Sequence, residues 1–180
     1  MIMIARGTTG AVHGKPCPQC GTYATITKIQ QEVLRMMALG ASNLKIGRTL
    51  RTAIGQGHSE RRDTDRGAEA VSDLQSALTA LGRANIVDTG CRTRLLSVPD
   101  TIQPPKDRLP PRCRQSVELL ASGLSYKAIA RELFLSDMTV KSHLHQLYTR
   151  IGAQNGAHAV YLMHALNKLP THHPCRCTKQ

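Results

Sequence analysis

The sequence predicts an all-α protein made of two tandem small helical bundles, four short helices in the C-terminal one, with a candidate zinc knuckle near the N-terminus. Three observations carry that expectation. Apolar residues make up 41% of the 180, enough for packed cores rather than a disordered chain. Aromatics are scarce, at one Phe, four Tyr and no Trp, which argues against a large sheet or an aromatic-lined small-molecule pocket. The remaining apolar residues recur at helical spacing in short runs bounded by capping residues and glycines.

The clearer elements lie in the second half. Val117, Leu120, Ala121 and Leu124 place a first helix over Arg112–Ala121, stopped at Gly123. Ser125 caps a second helix, whose Ile129 and Leu133 share one face while Ala130 leaves room for a close crossing. After Phe134 and Leu135, Ser136 caps a third. Along it Val140, Leu144, Leu147 and Ile151 form an apolar stripe, so Lys141, Ser142, His145, Gln146 and Thr149 fall on the opposite face. From Asn155 a fourth helix carries Ala159, Leu162, Met163, Leu166 and Leu169, ended by Pro170.

These residues resemble the LuxR-type helix-turn-helix domain of bacterial transcription regulators from about Leu109 to Leu169. The most specific parts are Leu119-Leu120-Ala121 with Gly123 and Ser125, then Ile129-Ala130, Leu133, Ser136, Thr139-Val140-Lys141, His143-Leu144 and Gly152. Two departures stand out. The family usually opens Leu-Thr-Pro-Arg-Glu, where this chain has Leu109-Pro110-Pro111-Arg112-Cys113, and Tyr126 and Ala128 replace the common Asn and Glu. The resemblance implies double-stranded DNA as partner, with the third helix in the major groove and Lys141, Ser142 and His145 facing bases. Thr139, His143, Lys127, Arg131 and Arg150 are expected near phosphates. It also implies a two-fold dimer through Ala159, Leu162, Met163 and Leu166, unless those side chains are consumed by the core or by the first half of the same chain.

The first half repeats the pattern. At a lag of 83 residues Met36-Met37-Ala38 falls on Leu119-Leu120-Ala121, Gly40 on Gly123, Ser42 on Ser125, Ile46 on Ile129 and Leu50 on Leu133. Beyond Leu50 a lag of 70 sets Ser72 on Ser142, Leu74 on Leu144 and Gly82 on Gly152, which implies 13 inserted residues as a surface loop within 51–67. Residues 25–90 are thus read as a degenerate copy, with Val71 in the place of Lys141, Asp73 of His143 and Gln75 of His145: a packing or protein-contact module rather than a DNA reader. Pro99, Pro104 and Pro105 mark a linker over 91–108, and 170–180 form a His/Cys tail.

Lys plus Arg number 24 against 12 Asp plus Glu, a formal +12 that favours a polyanion. Cys17-Pro18-Gln19-Cys20-Gly21 has the spacing of one zinc-ribbon knuckle. Cys175 and Cys177, or His13, His172 and His173, are the candidates to complete one structural Zn²⁺, against unpaired reduced thiols. No phosphate-binding glycine loop, His-Glu-x-x-His motif or nucleophile elbow occurs, so the chain is not expected to be an enzyme. No stretch reaches the roughly 18 apolar residues of a membrane span, and the first ten residues lack the features of a secretory leader, so a cytoplasmic location is expected. The rival reading is an interaction protein that grips another regulator or RNA polymerase in a sigma-like or anti-activator role.

Overall fold

The computed structural model describes residues 10–15, 24–52, 59–99 and 109–169. It is mostly helical. A two-stranded antiparallel ribbon, β1 (Ala11–His13) and β2 (Thr25–Thr27), precedes α1 (Lys28–Ala38), α2 (Asn43–Thr52), α3 (Glu60–Ala77) and α4 (Arg83–Arg92). The second half contributes α5 (Pro111–Ala121), α6 (Tyr126–Leu133), α7 (Asp137–Ile151) and α8 (Gly156–Ala165).

The ribbon was not expected from the sequence. Val12 pairs with Ile26, and the Lys15 amide donates to the Thr93 carbonyl at 2.6 Å, which ties the ribbon to the end of α4. β2 runs directly into α1 because Thr27 caps that helix: its hydroxyl accepts from the Gln30 amide, while the Gln30 side chain accepts from the Thr27 amide. α5 has no such box. Its N-cap is Pro110 without a side-chain bond, and Pro111, which needs no amide partner, starts the helix.

Two sequence expectations are corrected here. The segment 51–67 is not simply a surface loop, because α2 runs to Thr52 and α3 starts at Glu60. Its polar residues from Glu60 onward clothe the exposed side of α3's first turns, and 53–58 lie outside the described residues. The buried side carries Asp63 and Gly67, and Gly67 serves a close crossing: a Cβ there would lie 2.7 Å from the Asn43 carbonyl carbon, and one at Gly47 would lie 2.6 Å from that of Asp63. Asp63, fully buried beside the crossing, accepts from Arg51 Nε at 3.1 Å and from Arg66 Nη1 at 3.4 Å.

The expected linker also starts too early. Cys91 and Arg92 belong to α4, and Leu95 and Leu96 are buried. The turn that carries them is held by Leu96 N–H donating to Gly90 O at 3.0 Å and by Gln31 Nε2 donating to Leu95 O at 3.2 Å.

One apolar core runs through both halves, from Ile26 and Leu34 through Ile86 and Val87 to Leu147 and Met163. Its centre is the packing of α4 on α8. α8 is enclosed on several sides, by α4, α1, α5 and α7, which is why its residues are apolar almost all round. A polar group crosses this interface: the Asp88 carboxylate accepts from His164 Nε2 at 2.7 Å through one oxygen and from Arg92 Nε at 2.6 Å through the other. Among the described residues no helix is long and apolar enough to cross a membrane.

Candidate nucleic-acid interface

α6, its turn and α7 form a helix-turn-helix whose geometry follows from local sequence. Ser125 Oγ accepts from the Ala128 amide and starts α6. α6 ends at Phe134, which takes the left-handed conformation (φ 54°) usual for a C-terminal glycine, and the Leu135 amide returns to the Ala130 carbonyl at 2.8 Å. Two residues on, Ser136 Oγ accepts from the Thr139 amide and starts α7. Gly152, at φ 69°, ends it.

α7 is held from behind. Val140, Leu144 and Leu147 are buried and the helix packs on α5 and α6. The opposite face, with Lys141, Ser142, His145, Gln146, Thr149 and Arg150, is exposed. Lys127 and Arg131 on α6 are exposed beside it, and Lys127, Arg131, Lys141 and Arg150 form no ion pair among the described residues. The result is one polar, cationic helix face with an apolar anchor.

Not every expected side chain is free on that face. Thr139 is half-buried and its hydroxyl is bonded to Ser136 Oγ at 2.8 Å, so it works in the helix cap. His143 is half-buried with Nδ1 enclosed and without a hydrogen-bond partner among the described residues. Ala159 and Met163 are fully enclosed, and Leu162 and Leu166 are half-buried. Of the three arrangements weighed for the fourth helix, a second copy, the core of its own domain or the first half of the same chain, α8 takes both of the last two, packing on α5 and α7 and on α4 and α1.

Sequence reasoning missed two features. Cys113, standing where the family has an acidic residue, is buried and donates from Sγ to Gln146 Oε1 at 3.2 Å, which fixes one polar side chain of the exposed face. Burial raises its thiol pKa, with Arg150 opposing. Phe134 and Met138, 95% and 73% exposed, flank the start of α7. A phenylalanine where a left-handed cap favours glycine was the available signal.

The zinc expectation concerns Cys17, Cys20, His172, His173, Cys175 and Cys177, which lie outside the described residues. His13 is described, in β1, with Nδ1 3.1 Å from Thr25 Oγ1. Among the described residues no group of three or more His, Cys, Asp or Glu is placed to hold a metal ion.

Two short capped helices in a fixed turn, the second presenting a cationic face, define a helix-turn-helix nucleic-acid-binding domain. Residues 107–163 match the family of bacterial regulatory proteins, luxR family, so the C-terminal part of the chain is a LuxR-type domain, the DNA-binding domain of transcription regulators. No curated protein and no solved structure gives a match.

Proposed function

We propose that the chain is a sequence-specific regulator of transcription that inserts α7 into the major groove of duplex DNA. Lys141 donates to guanine O6 or N7, His145 donates or accepts according to its tautomer, and Ser142 is a short adaptable partner. Lys127, Arg131 and Arg150 set the register on phosphates, aided by the α7 amides near Ser136. The N-terminal half supplies packing. The observation that carries this reading is the row of Lys141, Ser142 and His145, exposed on a helix whose other face is fixed by Val140, Leu144 and Leu147.

The test is selection from random duplexes by the full chain and by its Lys141→Ala/His145→Ala variant. The wild type should enrich one motif, and the double variant should lose it with an unchanged helical spectrum, at roughly tenfold or more per lost base contact. Affinity should fall steeply with salt as counterions are released. A variant with the same motif as the wild type, or a flat salt titration, overturns the proposal.

A further inference from the structure

The two halves follow one plan. α1 and α5 each end before a left-handed glycine, Gly40 at φ 82° and Gly123 at φ 95°, 83 residues apart. In the later helices the lag of 70 expected from sequence fails, since it sets buried Val71 on exposed Lys141. A lag of 73 matches burial instead. Gly67 then falls on Val140, Val71 on Leu144, Leu74 on Leu147, Ala84 on Ala157 and Val87 on Val160, each buried in both halves. The helix starts agree, with α4 beginning at Arg83 and α8 at Gly156.

The contact between the halves has the form of a two-fold interface, in which patch i meets j and j meets i. α4 lies on α8. α1 packs on α8, and its counterpart α5 packs on α4. Gln154 presses on Gly40, and Leu81, its counterpart at a lag of 73, presses on Gly123: a Cβ on either glycine would come within 2.8 Å and 2.7 Å of them. Asn155 Nδ2 donates to Gly40 O at 2.9 Å, and across the interface Asn85 Nδ2 donates to Ala121 O at 2.7 Å. These two bonds both cross between the halves but are not mates under the two-fold, since the asparagines stand 70 residues apart and their acceptors 81.

The symmetry stops at the outer face. At a lag of 73, the positions of Lys141, Ser142, His145, Gln146 and Thr149 in α3 are Ala68, Glu69, Ser72, Asp73 and Ser76. α3 has no cation there and has two exposed carboxylates, which phosphates repel. α8 meanwhile has α4 on its apolar side, leaving Ala159 and Met163 closed to a second chain.

We propose that this protein is a fused pseudo-dimer, which binds duplex DNA as a single chain on an asymmetric site. α7 reads the bases, and the N-terminal half fills the place of a second subunit without reading. The inference rests on the DNA reading proposed above for its second clause, while the fused interface stands on the packing alone.

The experiment joins sedimentation of the free full-length chain with native mass spectrometry on duplexes selected from a random pool. The free chain should sediment as one copy at micromolar concentration. The selected motif should lack an inverted repeat and carry one chain per duplex, and a Glu69→Ala/Asp73→Ala variant should enrich the same motif. Met163→Lys should reduce helicity rather than split a dimer. An inverted-repeat motif with two chains bound, a motif altered by the α3 changes, or a free dimer that Met163→Lys separates into folded monomers overturns the fused pseudo-dimer while leaving DNA reading intact. Absence of salt-sensitive DNA binding with a monomeric free chain overturns the DNA reading and retains the fused interface.

Discussion

Replacing Gly47 by alanine sets two physical effects against each other, and their signs differ. In an exposed helix the change stabilises by about 1 kcal/mol, because glycine is the poorer helix former. Here the added methyl would overlap the carbonyl oxygen of Asp63 on α3 and sit 2.6 Å from its carbonyl carbon. Carbon atoms rest at about 3.5–4.0 Å, so the carbon contact alone parts α2 and α3 by roughly 1 Å along their whole crossing, and the overlapped oxygen demands more. Overpacking of this kind costs about 1–3 kcal/mol, and backbone rather than a pliable side chain is struck, so the upper end applies. Separation also loosens Arg51 from Asp63. The net loss is about 2 kcal/mol, or about 4–8 °C in Tm for a chain of this size. Urea unfolding followed by circular dichroism measures it, with Gly82→Ala, where the new methyl meets nothing within 4 Å, as the control. A Gly47→Ala protein as stable as the wild type, or more so, would refute the close crossing and leave helix propensity as the whole account.

Two further outcomes are expected. Asp88→Ala removes the acceptor shared by His164 and Arg92 inside the α4–α8 contact, and should destabilise by about 3–5 kcal/mol in urea, with hydrogen exchange accelerated in both helices. The Cys91 thiol is pushed up to about 12, chiefly by burial with Asp88 adding, and that of Cys113 is raised by burial. At pH 8 only roughly one Cys91 in ten thousand is a thiolate. Peptide-resolved alkylation should therefore leave both cysteines unmodified in the native protein and label both in denaturant; rapid native labelling of Cys91 would contradict its placement.

The C-terminal helices were legible in the sequence because local signals agree there. Ser125, Ser136 and Asn155 cap where expected, and the stripe Val140, Leu144, Leu147 is buried as its spacing demands. The N-terminal half was harder to read for physical reasons. Glycine marks loops when it frees the backbone, yet Gly67 sits within α3 to let another helix approach. Polar residues at 60–66 read as loop although they clothe the exposed side of a helix. Leu95 and Leu96 show no periodicity because a turn, not a helix, delivers them to the core. On α7, the exposure of Lys141, Ser142 and His145 was recoverable from helical phase. The enclosed Nδ1 of His143 and the Cys113–Gln146 bond depend on partners distant in sequence.

The α4–α8 contact also governs how the chain emerges from the ribosome. Ile86 and Val87 leave with α4, but α8, which covers that helix, ends at Ala165, about 70 residues later. At 5–20 residues per second, the N-terminal half waits about 4–15 s with that apolar patch bare. Neighbouring nascent chains on the same message bear the same patch. Pauses in translation before α8 should therefore favour exchanged pairs, in which the N-terminal half of one molecule closes over the C-terminal half of another.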